Sequence, residues 1–215
     1  MQARRIETVI FDWSGVISND IKPVYETNMR MLEARKKKRM SFEEWMKIQP
    51  TTLLELLANS GISVTQDEVD HWFSETYRQL SVRRAFTPII YPDVKEVLEA
   101  LKARGKKLGV VSAHSRDVLV KEAQMFSIES FFLIFCGWSS AHKENALTRT
   151  CIELKVDPRK TVYIADTVYD IESAKKAEML SAAVSTGYNT YEALKQAKPD
   201  FLVRSLTEFV QVIDA

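Results

Sequence analysis

Four places in the chain set a reactive or ion-binding side chain at, or shortly beyond, the end of an apolar run. Val9-Ile10-Phe11 leads into Asp12 and the turn Ser14-Gly15, and Gly109-Val110-Val111 leads into Ser112. The run from Phe131 to Cys136 is followed by Lys143, and Thr161-Val162-Tyr163-Ile164-Ala165 leads into Asp166, with Asp170 four residues on. A buried run that delivers a carboxylate to a glycine turn presents it as a nucleophile. A serine hydroxyl donates to anionic oxygens, and a lysine neutralises them. Two carboxylates four residues apart share one face of a turn leading into a helix and offer hard oxygen ligands to a divalent cation, although Asp170 is equally suited to capping that helix. Open α/β sheets bind ligands outside the carboxyl ends of their strands, where all of these residues would fall.

Positioning them requires strands and helices in alternation, and the sequence supplies that pattern from residue 88 onward. It predicts a helix from Pro92 to Arg104 stopped by Gly105, strand Leu108 to Val111, helix Arg116 to Phe126 and strand Phe131 to Phe135. Helix Glu144 to Lys155, strand Thr161 to Ala165, helix Ile171 to Glu178 and strands Ala182 to Ser185 and Phe201 to Val203 follow, before a last helix opened by the capping box Ser205/Glu208. Strands separated by single helices imply right-handed crossovers and a doubly wound parallel sheet. Residues 19–87 instead carry amphipathic helix patterns across Tyr25 to Arg35, Phe42 to Ile48, Leu53 to Asn59 and Glu68 to Arg83. Capping boxes at Ser41/Glu44, Thr52/Glu55 and Thr65/Glu68 punctuate them, and Pro23 and Pro88 stand near the two joints. The expected organisation is an α/β core of residues 1–18 and 88–215 with a smaller all-helical insertion, residues 19–87, and no internal repeat.

Composition sets wide limits. At 215 residues and 46% hydrophobic content the chain can bury a real core. Thirty basic against 29 acidic side chains leave a net charge of +1, so no global field favours nucleic acid or an anionic membrane, and partner choice is local. Met1 to Glu7 runs directly into the first strand without a secretory signal pattern, and no apolar run reaches membrane-spanning length. Cys136 and Cys151 lack metal-ligand spacing and read as buried thiols, in keeping with a cytoplasmic, reducing location.

Taken in order, Asp12, Ser112, Lys143 and the pair Asp166/Asp170 resemble the four motifs of the haloacid dehalogenase-like superfamily, and the resemblance spans nearly the whole chain. It implies a magnesium-dependent phosphatase acting on a small phosphorylated metabolite, phosphoglycolate being the family default, as a monomer or homodimer. Asp12 would form an aspartyl-phosphate. Magnesium would be held by Asp12, Asp166, Asp170 and the main-chain carbonyl of Ser14. Ser112 would bind a phosphoryl oxygen, Lys143 would neutralise the phosphoryl group and Asp12, and the helical insertion would be a mobile cap that selects the substrate.

The chain departs from that pattern at Ser14, where most phosphatases of the family carry a second Asp that protonates the leaving group. Ala165, where glycine is frequent, is a milder departure. A missing general acid costs roughly a hundred- to ten-thousand-fold in rate. Three readings stay open. The substrate's leaving group needs little protonation, or His114 or a cap residue supplies the acid. Alternatively, Asp12-Trp13-Ser14-Gly15 is similar to the Asp-Trp-Ala-Gly of phosphonoacetaldehyde hydrolases, in which a cap lysine (here Lys36, Lys37, Lys38 or Lys47) forms a Schiff base with a phosphonate substrate. Against this, Val16 replaces the usual Thr and no Met-Gly precedes a lysine. The third reading is a phosphate-binding protein without turnover.

Other residues read mainly as structure. Arg35-Lys36-Lys37-Lys38-Arg39 suits a solvated helix end, and Trp45 and Trp72 suit the core of the insertion. Trp13, next to the nucleophile, is placed to donate its amide to a phosphoryl group and to cover the site with its indole. Trp138, His142 and His114 fall on loops near the same edge.

Overall fold

The structure, a computed structural model, describes residues 6–48, 53–137 and 142–213. The chain opens with β1 (Thr8–Phe11), all four residues of which are buried. It then forms β2 (Ser18–Asn19), the helices α1 (Ile21–Ala34), α2 (Phe42–Lys47), α3 (Leu53–Asn59) and α4 (Gln66–Ser81), and β3 (Ile89–Ile90). The remainder alternates: α5 (Val94–Ala103), β4 (Lys107–Ser112), α6 (Arg116–Met125), β5 (Phe135–Gly137), α7 (Lys143–Leu154), β6 (Thr161–Ala165), α8 (Val168–Lys176), β7 (Leu180–Val184), α9 (Tyr191–Gln196), β8 (Phe201–Val203) and α10 (Leu206–Val212).

Among the described residues, six strands form one parallel sheet in the order β5-β4-β1-β6-β7-β8. The fold is the α/β, doubly wound sheet expected. Both faces are covered, which is why the strands read as unbroken apolar runs. Val9 and Phe11 pack with Leu108, Val110, Val162 and Ile164 on one side, and Ile10 packs with Val111, Tyr163 and Ala165 on the other. The two-residue side-chain period thus divides each strand between two cores. Because β1 lies between β4 and β6, the chain leaves it on one side through β4 and returns on the other through β6, and this switch of direction opens a crevice at the carboxyl end of β1.

The helices α1 to α4 enclose their own apolar cluster, centred on Met29, Met31, Leu32, Trp45, Leu56 and Leu57. The capping boxes Ser41/Glu44 and Thr65/Glu68 form at α2 and α4; Thr52 lies outside the described residues. The basic run follows the end of α1: Arg39 pairs with Glu26, and the Arg35 guanidinium lies 4.8 Å over the Trp72 ring.

Several expected elements are corrected. The strand placed at Phe131 to Phe135 is shifted to Phe135–Gly137, and Glu129–Phe131 forms a 3-10 turn that packs Phe131 and Phe132 against the core. An apolar run without alternation does not mark where pairing begins. Helix α8 starts at Val168 rather than Ile171, because the Thr167 hydroxyl caps it by accepting from the Asp170 amide at 3.2 Å. Strand β7 runs from Leu180 to Val184 rather than Ala182 to Ser185. The helix α9 and the antiparallel ribbon β2·β3 were not expected.

Candidate active site

Asp12 follows β1 directly, its amide donating to the Ile164 carbonyl at 2.9 Å, so its side chain emerges between the ends of β4 and β6. Oδ1 accepts from the Trp13 amide at 2.8 Å, and Oδ2 lies 3.3 Å from Lys143 Nζ. Burial pushes the Asp12 pKa up to about 6, with Lys143 and the Trp13 amide opposing and the neighbouring Asp170 adding to it. Lys143 is the first residue of α7. Its ammonium is 2.5 Å from Asp170 Oδ1, and these two carboxylates hold its pKa above the ordinary value despite burial.

Asp166 follows β6 and is fully buried. Its Oδ2 accepts from the Tyr188 amide at 2.7 Å, while its Oδ1 is buried with no hydrogen-bond partner among the described residues. Burial, reinforced by Asp12 and Asp170, raises its pKa well above the usual carboxylate range. Two glycines leave the space this side chain occupies. A Cβ on Gly15, where φ is +76°, would lie 2.2 Å from Asp166 Oδ2, and a Cβ on Gly187 would lie 1.8 Å from it. The segment after β7 therefore wraps the carboxylate. Asn189 donates its amide to the Asp166 carbonyl and accepts from the Val168 amide, and Thr186 donates to the Gly15 carbonyl at 2.7 Å. Sequence reasoning missed this segment; Gly187 between Thr186 and Tyr188 is the signal that was available.

The Asp170 carboxylate does not cap α8. It accepts from the Thr167 hydroxyl on one oxygen and faces Lys143 with the other. Ser112 ends β4, is buried, and accepts weakly from the His114 amide at 3.4 Å, while the N-cap of α6 is Ser115. Ser14 donates its hydroxyl to Asp20 Oδ1 at 2.5 Å and lies 3.1 Å from the Tyr188 hydroxyl. His114, also buried, sits 3.0 Å from the other oxygen of Asp20. Burial works against charge on His114, but Asp20, Glu122 and Asp12 together keep its pKa above the ordinary value.

Trp13 departs from expectation. Its indole is buried in the core against Phe126, Phe132 and Phe135 and donates to Glu122 at 2.7 Å, so it does not cover the site, and its amide is committed to Asp12. Glu122 also accepts from Tyr77 of α4 at 3.1 Å, which ties the helical insertion to the loop that carries Asp12 and Trp13. Trp45 is buried within the insertion and packs edge-on against Tyr188. Lys36, Lys38 and Lys47 are exposed, and Lys37 Nζ lies beside Gly61. His142 precedes α7 on the surface, and Trp138 lies outside the described residues. Cys136 and Cys151 are free and buried; burial pushes the Cys151 thiol up to about 11, which leaves it unreactive.

One carboxylate oxygen from each of Asp12, Asp166 and Asp170 falls within 4.8 Å of the others. Three buried carboxylates this close repel one another, and the single ammonium of Lys143 does not reach Asp166 Oδ1. A divalent cation resolves both problems, and an all-oxygen donor set suits magnesium. The residues present fit such an ion. Beside these carboxylates stand the Lys143 ammonium and, at the end of the neighbouring strand β4, the Ser112 hydroxyl, a set of groups able to bind an anionic group.

Similarity to known proteins agrees with this chemistry. The model of the haloacid dehalogenase-like hydrolases matches residues 9–184, and the chain belongs to that family of enzymes. It is 24% identical over 221 residues to Pyrophosphatase PpaX of Bacillus pumilus, covering 100% of both chains. It is 26% identical over 125 residues to a phosphoglycolate phosphatase of Synechococcus elongatus, covering 58% of this chain and 59% of that one. Among solved structures, a haloacid dehalogenase-like hydrolase from Streptococcus pneumoniae superposes with a TM-score of 0.81 at 16% identity, covering 96% and 97% of the two chains; that likeness concerns the fold.

Proposed function

We propose that this hydrolase is a magnesium-dependent, cytoplasmic phosphatase of a small phosphorylated metabolite, working through an aspartyl-phosphate at Asp12. The observation that carries the reading is the convergence of Asp12, Asp166, Asp170 and Lys143 in one buried cluster, with Asp166 Oδ1 left unpartnered among the described residues. Asp12 and a phosphate are both anionic, and the bound ion would supply the positive charge that lets them meet. Asp12, Asp166, Asp170 and the Ser14 carbonyl are the groups to hold it.

Within that frame, the Asp12 carboxylate attacks phosphorus as the bond to the leaving oxygen breaks. Lys143 keeps the carboxylate ionised and oriented and neutralises developing phosphoryl charge, and the Ser112 hydroxyl donates to a phosphoryl oxygen. Water then attacks phosphorus and the bond to Asp12 breaks, regenerating the carboxylate. The balanced net charge and two unoxidised thiols support small-molecule chemistry in a reducing compartment. Among the described residues no helix is long and apolar enough to cross a membrane.

Phosphate release from p-nitrophenyl phosphate, phosphoglycolate and pyrophosphate, with magnesium or with a chelator, tests the reading. Turnover that needs the metal and disappears in Asp12→Asn is expected. Equal turnover in the chelator, or in Asp12→Asn, would overturn it.

A further inference from the structure

Phosphomonoester cleavage by Asp12 needs a proton for the departing oxygen and, in the second step, a group that takes one from water. Asp12, Asp166 and Asp170 surround the crevice as ligands, and Glu122 is held by Trp13 and Tyr77. One further carboxylate borders the nucleophile loop. Asp20 has no exposed surface, and although it stands at the N-cap of α1 its side chain caps nothing. Burying a carboxylate without the usual capping bonds is costly, so its placement calls for another reason. Both oxygens are turned elsewhere, Oδ1 to the Ser14 hydroxyl at 2.5 Å and Oδ2 to His114 Nε2 at 3.0 Å. Ser14 is half-buried, two residues beyond the nucleophile, and also touches the Tyr188 hydroxyl. The row His114–Asp20–Ser14 thus runs from the base of the helical insertion, where His114 packs on Phe73 and Tyr77, to the nucleophile loop.

We propose that Ser14 and Asp20 act as one unit that carries the protons of the reaction, the Ser14 hydroxyl meeting the reacting oxygen and Asp20 acting through it as a positioning residue, with His114 fixing its second oxygen. In the step that breaks the bond to Asp12, attacking water gives a proton to Ser14 Oγ as its oxygen bonds to phosphorus. Ser14 passes its own proton to Asp20 along the hydrogen bond already present. In the first step the movement is reversed: Asp20, holding the proton taken from water in the preceding turnover, returns it to Ser14 Oγ, and the Ser14 proton passes to the leaving oxygen as its bond to phosphorus breaks. No proton is gained or lost over the cycle beyond that of the water consumed. The serine at position 14 is then half of a carboxyl function whose other half sits six residues later.

The proposal rests on the phosphatase reading, and the test separates the two. Asp20→Asn, Ser14→Ala and the exchanged pair Ser14→Asp/Asp20→Ser are compared with the unaltered enzyme on phosphoglycolate, whose alkoxide leaving group needs a proton, and on p-nitrophenyl phosphate, whose phenolate does not. The expected result is a loss of roughly a hundred-fold or more in kcat on phosphoglycolate for both single variants. On p-nitrophenyl phosphate the first step should slow by far less than on phosphoglycolate, with a burst of phenolate as the aspartyl-phosphate accumulates. The exchanged pair should recover most of the phosphoglycolate rate. Equal losses on both substrates without a burst, or an exchanged pair no better than Asp20→Asn, would overturn the relay while leaving the phosphatase reading intact. Absence of turnover in the unaltered enzyme would remove both.

Discussion

Gly187→Ala is the substitution whose consequence can be worked most directly from the coordinates. Nothing about position 187 demands a left-handed backbone; what excludes a side chain is the Asp166 carboxylate, 1.8 Å from an added Cβ at Oδ2, 2.5 Å at Cγ and 2.8 Å at its own Cβ. An ordinary van der Waals contact is longer by roughly 1.5 Å. Rotating the carboxylate alone does not relieve all three contacts, so either Asp166 or the segment carrying Tyr188 must move by about that distance. The 2.7 Å bond from the Tyr188 amide is broken in either case. A displacement of about 1 Å in a positioned group costs on the order of a hundred-fold in rate, and Asp166 is proposed to position the metal. The expected outcome is at least that loss in kcat/KM, a weakened magnesium dependence on titration, and a circular dichroism spectrum like that of the unaltered protein. A variant within three-fold of the parent at equal magnesium affinity would refute the idea that this cradle holds the carboxylate in register.

Other outcomes follow from the same site. Lys143→Met leaves Asp12 and Asp170 facing each other without a cation, so stability in the absence of metal should fall by about 3 kcal/mol in urea denaturation, and turnover should fall by two to three orders of magnitude. For Asp12 the folded-state pKa, about 6, lies above the ordinary 3.8, so the folded metal-free protein keeps its proton longer than the unfolded chain. Stability contributed by this group is therefore greatest at low pH and lost as pH rises from about 4 through 6. Metal-free Asp12→Asn should accordingly match the parent near pH 4 and exceed it at pH 7 by about 3 kcal/mol, and a constant difference across that range would sink the argument. Tyr77→Phe removes one donor from buried Glu122, and urea denaturation should record a loss of about 1 to 3 kcal/mol.

What the sequence made legible was the part governed by local pattern. Val9 to Phe11 and Thr161 to Ala165 are apolar throughout because both faces of a parallel strand are covered, and the residues that end them, Asp12 and Asp166, are delivered to the same edge by that geometry. The parts that escaped are set by tertiary contacts. Helix α9 buries fully only Leu194, so its periodicity is faint, and two residues each in β2 and β3 are too few to show alternation. Asp20 before Ile21-Lys22-Pro23 looks like any N-cap, and only the fold shows its carboxylate turned to Ser14 and His114. Trp13 stands next to Asp12 in sequence, yet its indole is buried in the core, stacked on Phe126 and bonded to Glu122.

The β2·β3 ribbon has an architectural consequence. Ser18 pairs with Ile90 and Asn19 with Ile89, so the outgoing and returning ends of a seventy-residue excursion are hydrogen-bonded neighbours. The six-stranded sheet registers that excursion only as a two-rung clasp. An insertion of another length could leave and return through the same clasp without altering a single strand pairing in the sheet.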